Sequence, residues 1–401
     1  MEFIKKHQKK LAFVALVVII LLSFYARLKY IFNIDYILMT DALNYHNMTL
    51  QFLEKGFLGY MSDVPNAYIT PGYPLFLAPI YALAGAEAGL FMSQIVQSVL
   101  GAVSGIVMYF ICQDLFKKRW ISVFCAALMA CYPPFIMASM NLLTETLYNF
   151  VFVVYLLVQI KSIMREKSYW LAAFSGVMFA VCVLVRPSMF PLLILPYIIK
   201  IIKLRKISCL KEFLVFLGGI ILVMLPWWIR NIVIMKEFIL LCTQSGNPML
   251  AGTFPYFEGM TEHVMTYPTE SEEAVHRIIN GFLTEPWLYF KWFTIEKFKL
   301  IFLNIWYYLP GANGAVSIPY FNDLCKIMHF GIIAAGWAGA VLGAFSKKMW
   351  FIVAFAVLIT GAHLLFIPTE RYAITIIPLL IVMAGYLISR FKLVKEEPNE
   401  A

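Results

Sequence analysis

Ten runs of apolar residues divide this chain. They lie at about 11–30, 90–112, 120–139, 142–160, 170–185, 188–202, 213–228, 327–345, 349–367 and 373–388. A bilayer's hydrocarbon core is about 30 Å thick, and about twenty helical residues cross it. A 401-residue chain that is 62% hydrophobic and only 14% charged has too little polar surface to hide ten such runs in a water-soluble fold. In lipid each spanning segment must satisfy its own backbone hydrogen bonds. The expected fold is therefore an all-α polytopic membrane protein in a single domain, 1–401, with ten helices. An eleventh enters if the aromatic run 287–308 also crosses. Lys291, Glu296, Lys297 and Lys299 interrupt that run, which favours an amphipathic helix lying at the interface. Residues 75–83 are too few to cross and are bounded by Pro71, Pro74 and Gly85. They read as a short helix on the outer interface.

The formal net charge of +9 would suit a nucleic-acid partner if the charges were gathered on one soluble surface. Instead they fall between every second pair of runs. The clusters are Lys5, Lys6, Lys9 and Lys10; Lys117, Lys118 and Arg119; Lys161, Arg165 and Lys167; Lys200, Lys203, Arg205, Lys206 and Lys211; Lys347 and Lys348; and Arg390, Lys392 and Lys395. This is the positive-inside pattern. It puts both termini in the cytoplasm and argues against nucleic acid. The first run lacks a small-residue cleavage site and reads as a retained anchor. The seven cysteines include no C-x-x-C pair and read as small core residues. His263 and His276 read as loop histidines.

Two segments fall outside. The first, 32–74, carries Asp35, Asp41, Glu54 and Asp63 against one lysine, Lys55. A carboxylate near a bilayer surface is costly to desolvate, which makes Asp41 a candidate for function. A helix would show Asp41 and Tyr45 on one face, and His46 follows at once. Further on comes Asn66-Ala-Tyr68-Ile-Thr70-Pro71-Gly72-Tyr73-Pro74. Asp41 could act as general base on an acceptor hydroxyl; the plainer reading is a helix-capping or surface aspartate. The second segment, 230–323, is long enough to cover an outer site.

Glu145, in Asn141-Leu-Leu-Thr144-Glu145-Thr146, sits where the third run turns outside into the fourth. It is either a functional group or an acid favoured by a helix N-terminus. Arg186, Arg230 and Arg371 are cations on the side that the orientation rule avoids. Arginine forks match phosphate oxygens; snorkelling or a local ion pair is the alternative.

Taken together, Asp41-Ala-x-x-Tyr45, Pro71-Gly-Tyr-Pro-Leu-Phe-Leu-Ala78, Thr144-Glu145, Arg186-Pro187 and Glu370-Arg371-Tyr372 ahead of Pro378 resemble the GT-C superfamily of membrane glycosyltransferases. The likeness is to the bacterial branch related to protein O-mannosyltransferases and the lipid A aminoarabinose transferase. The resemblance implies transfer, with inversion, of a sugar from a polyprenyl-phosphate donor to an acceptor hydroxyl outside the bacterial plasma membrane. It implies catalytic roles for Asp41 and Glu145 and donor-phosphate contacts from Arg371, Arg186 and Arg230. Tyr45, His46, Tyr68, Glu370 and Tyr372 would line the substrate site. The acceptor could be a protein, a glycolipid or a cell-wall glycan, and a divalent metal stays open. Some relatives carry a sizeable C-terminal soluble domain, so here acceptor recognition falls to the loops, chiefly 230–323. A lipid or solute transporter is the alternative, but ionisable residues near the midplane, where transporters place their sites, are scarce. A non-enzymatic scaffold would leave acids and arginines on one side unexplained.

Overall fold

The computed structural model describes residues 7–206, 209–244, 246–260, 270–306 and 321–391. His263, Tyr308, Lys5, Lys6, Lys392 and Lys395 lie outside them. All ten apolar runs are helical. Among the described residues seven helical stretches, one of them the 3-10 turn and helix of Pro187–Leu204 taken together, are long and apolar enough to cross a membrane, and three shorter apolar helices complete the ten. In chain order the elements begin with α1 (Gln8–Asn33), α2 (Thr40–Lys55), α3 (Gly72–Phe116), α4 (Arg119–Cys131), α5 (Pro133–Ala138) and α6 (Glu145–Met164). There follow α7 (Tyr169–Val185), a 3-10 turn (Pro187–Leu192), α8 (Leu195–Leu204) and α9 (Cys209–Met235). The segment after α9 then holds α10 (Gly246–Ala251), α11 (Glu270–Thr284), α12 (Pro286–Lys291) and α13 (Lys297–Phe302). The chain closes with α14 (Phe321–Ala344), α15 (Trp350–His363) and α16 (Arg371–Ser389).

Proline and glycine set the breaks. The run 120–139 is two helices, because Tyr132 precedes Pro133 and is extended at ψ 120°, as the proline ring requires of its neighbour. Residues 75–83 form a helix as expected, but it runs on into the span as the first part of α3. The bend falls at Gly85, with φ 82° and ψ 164°, a conformation essentially confined to glycine. α9 continues to Met235, so Arg230 is helical and the segment expected at 230–323 begins later than position 230.

α16 lies at the centre, packed on α14, α15, α4, α3 and α6. It approaches α14 so closely that a Cβ on Gly339 would sit 2.0 Å from Met383 O. α7 and α9 pack likewise, with Gly176 against the Phe216 carbonyl. Without a hydrophobic drive between helices in lipid, such close backbone contact supplies the packing.

Backbone bonds tie the segment between α2 and α3 to the one after α9, and that one to the stretch before α16. Thr243 N and Gln244 N donate to Ala67 O and Tyr68 O, each at 3.0 Å, and Ile367 N donates to Pro248 O at 2.8 Å. The aromatic run is helical as far as Phe302, with a π-helical turn at Trp292–Glu296 between α12 and α13. One expectation about it fails. Lys297 is not on a polar face but fully buried. Its ammonium donates to Leu364 O at 2.8 Å and Phe366 O at 3.1 Å and sits 3.7 Å from the Phe293 ring centre. The carbonyls left over at the end of α15 draw it inward.

Candidate active site

Asp41 is the second residue of α2, in the first turn, where the helix dipole favours an acid. Glu145 and Arg371 are the first residues of α6 and α16. The fold thus brings three helix starts to one place. Arg371 joins them. Its Nη1 donates to Asp41 Oδ2 at 3.0 Å and its Nε to Glu145 Oε1 at 2.7 Å. Arg186, in the extended residue after α7, adds a second cation. Its Nη2 reaches Glu145 Oε1 at 2.6 Å and its Nε reaches Thr144 Oγ1 at 2.8 Å.

The two carboxylates differ in setting. Glu145 is completely buried, whereas the Asp41 side chain is 44% exposed. A buried carboxylate persists only when paired, and Glu145 holds two guanidiniums on one oxygen. Its second oxygen, Oε2, is buried with no hydrogen-bond partner among the described residues. Asp41 is reached from the other side by Tyr60, whose hydroxyl donates to Oδ1 at 2.9 Å. Both Asp41 oxygens are therefore engaged, yet the group still faces water.

Aromatic rings wall the Asp41 side. Tyr45 follows one turn later, edge-on to Tyr73 at 4.9 Å and tilted against Tyr60 at 5.8 Å. Tyr68 stacks on Tyr60 at 5.8 Å and 14°. Burial, then the Asp41 charge, pushes the Tyr60 and Tyr45 hydroxyls up from their ordinary values. They stay protonated as donors. Trp306 lies under the Arg371 guanidinium at 5.8 Å.

Other expected residues go elsewhere. His46 turns to α3, its Nδ1 2.8 Å from the Tyr81 hydroxyl, and burial lowers its proton affinity. Arg230 bonds neither carboxylate. Its Nη2 donates to Leu58 O at 3.0 Å, its Nη1 to Asn231 Oδ1 at 2.9 Å, and it stacks on Trp227. It braces the loop that carries Tyr60. Glu370 is the N-cap residue of α16 without a side-chain capping bond. Tyr372 stacks on His363 at 4.5 Å. Tyr60 and Trp306 were not legible as site residues. No spacing rule links Tyr60 to Asp41 across a loop; the signal nearest to it is Asn66, whose side chain clasps the Tyr60 backbone at 3.1 and 2.9 Å.

This donor set does not suit a divalent cation. The two carboxylates already share guanidiniums. Among the described residues no three His, Cys, Asp or Glu side chains gather into a metal site.

The family model for dolichyl-phosphate-mannose-protein mannosyltransferases matches residues 63–229, less than half of the chain. No curated protein matches the sequence. Among solved structures, ArnT from Cupriavidus metallidurans bound to undecaprenyl phosphate superposes with TM-score 0.58 at 12% identity, over 94% of this chain and 60% of that one. The Archaeoglobus fulgidus oligosaccharyltransferase in complex with zinc and sulfate gives 0.58 at 13% identity, over 94% and 48%. The chain shares the fold of these two proteins. The same oligosaccharyltransferase with an inhibitory peptide and a dolichol phosphate gives 0.51 at 13% identity, over 96% and 50%. The chain thus spans about 60% of the ArnT length and about half of the oligosaccharyltransferase. The fold resemblance read from the motifs holds, and the all-α membrane architecture with it.

Proposed function

We propose that the protein is a membrane glycosyltransferase. It moves a sugar from a polyprenyl-phosphate donor to an acceptor hydroxyl on the outer face of the bacterial plasma membrane, with inversion. The observation that carries this reading is Arg371, a single guanidinium shared between an exposed carboxylate and a buried one at the meeting of three helix starts. That arrangement suits a phosphate. The two carboxylates and two guanidiniums balance, so an arriving lipid phosphate competes for arginine donors. The half-exposed Asp41 is the partner that can leave. Glu145, buried and doubly paired, holds the arginines in place and is a positioning residue.

With the phosphate on Arg371, Asp41 is freed to take the proton of the acceptor hydroxyl. The hydroxyl oxygen bonds to the anomeric carbon as that carbon's bond to the phosphate oxygen breaks. The lipid phosphate leaves with the electron pair, and the arginines stabilise its charge. A single displacement inverts the anomeric centre. Tyr60 and Tyr45, kept protonated beside Asp41, give the sugar a ring face and hydroxyl donors. Dolichol- and undecaprenyl-phosphate ligands in proteins of like fold support a lipid-phosphate donor. The segments between α1 and α3 and between α9 and α14 are the proposed outer-face place of acceptor recognition, whether of protein, glycolipid or cell-wall glycan.

The test is transfer by purified protein of labelled hexose or pentose from polyprenyl phosphate, with the product anomer read by NMR. Lipid phosphate released with an inverted product supports the reading. Donor carried across proteoliposomes uncleaved would replace it with transport.

A further inference from the structure

A second feature lies along the N-terminal half of α1, away from the charged site. α1 and α3 touch closely in their middle. A Cβ on Gly101 would stand 2.7 Å from Arg27 Nε, and one on Gly105 would stand 3.0 Å from Ile20 Cδ1. Beyond Gly105 the α3 face changes from glycine to Tyr109 and Phe110, and the helices part. Between them opens a groove of about 440 Å³, walled by Phe13, Leu16, Val17 and Ile20 on α1 and by Ile106 and Phe110 on α3. Lys9 and Arg119 stand at its mouth, from two different helices.

We propose that this groove binds one anionic phospholipid of the leaflet facing away from the candidate active site. Its length carries the assignment. From Lys9 to Leu21, the farthest α1 residue of the lining, is twelve residues, about 18 Å at 1.5 Å per residue. Half of a hydrocarbon core of about 30 Å is about 15 Å. An acyl chain of one leaflet, with its phosphate just beyond the hydrocarbon, thus fits the groove from Leu21 to its mouth. A phosphate at headgroup depth then lies between an ammonium and a guanidinium. Apart from Tyr109 the walls are apolar, so selection between headgroups falls to the two cations. Basic pockets between spanning helices on the positive side of a membrane select anionic headgroups in this way, each basic residue contributing about 1 kcal/mol. The site stands apart from the transferase reading and does not depend on it.

Native mass spectrometry of the full chain in detergent tests it, with phosphatidylglycerol and phosphatidylcholine supplied in equal amounts. Wild type is expected to retain phosphatidylglycerol over phosphatidylcholine. The double variant Lys9→Gln, Arg119→Gln should lose about thirtyfold in that preference. Val17→Trp, which fills the groove and keeps both charges, should reduce retention of phosphatidylglycerol. Lys347→Gln with Lys348→Gln, at another basic cluster, should change neither. Equal retention of the two lipids by wild type, or an unchanged preference in the double variant, would overturn the proposal. So would displacement of phosphatidylglycerol by an equal amount of undecaprenyl phosphate, which would give the groove to a polyprenyl lipid instead.

Discussion

Replacing Asp41 by asparagine should strengthen the binding of lipid phosphate while nearly abolishing turnover. The two effects have one cause. In the unliganded protein Asp41 occupies Arg371 Nη1 at 3.0 Å, and an incoming phosphate must displace it. The pair is only partly buried, with the arginine side chain 28% and the aspartate 44% exposed. Half-exposed ion pairs contribute about 0.5–1 kcal/mol, so removing the competitor should tighten binding about two- to fivefold. Asparagine keeps the shape and can still accept from Tyr60, which leaves the fold in place. The lost base should lower turnover by about two to four powers of ten. Undecaprenyl phosphate binding to wild type and Asp41→Asn in detergent, by calorimetry or native mass spectrometry, gives the first quantity. Transfer of labelled sugar gives the second. Binding that is weaker or unchanged in the variant would refute the exchange of aspartate for phosphate. Turnover close to wild type would remove Asp41 from the base role.

Four further outcomes follow from the same geometry. Arg371→Lys keeps the charge but not the fork that serves two carboxylates, and should weaken undecaprenyl phosphate binding and turnover together, each by tenfold or more in the same assays. Glu145→Gln leaves two guanidiniums without their buried counter-charge and should cost about 3–5 kcal/mol, seen as a marked fall in Tm in detergent. Tyr60→Phe removes the hydroxyl that donates to Asp41 and should lower turnover about tenfold with little change in Tm. Burial pushes the Lys297 ammonium down from its ordinary 10.5 to about 7. The unfolded chain then binds more protons between these values, so this group's contribution to stability improves as pH rises from about 7 to 10.5. Thermal unfolding scanned over that range should show a rise in Tm that Lys297→Met flattens.

The spans were legible because hydropathy and charge alternation act over twenty residues at a time. The same averaging hid the breaks. Pro133 lies inside an apolar run, and only the local requirement on Tyr132 shows that the run is two helices. Asp41, Glu145, Arg186 and Arg371 could be picked out because each charge stands beside lipid and needs a reason. Their assembly could not, since it depends on where α2, α6 and α16 begin relative to one another. Arg230 satisfied the same sequence argument and went to Leu58 O instead. Tyr60 and Trp306 carry no charge and no motif. Lys297 read as a surface lysine because pattern reasoning places cations outside; the unpaired carbonyls at the end of α15 decided otherwise.

The most direct test of the shared-arginine site is a cryo-EM structure of the protein with undecaprenyl phosphate bound. The account predicts the phosphate within hydrogen-bond distance of the Arg371 guanidinium, Asp41 released from it, and Glu145 still paired with both arginines. A phosphate bound elsewhere, with the Asp41–Arg371 pair intact, would contradict it.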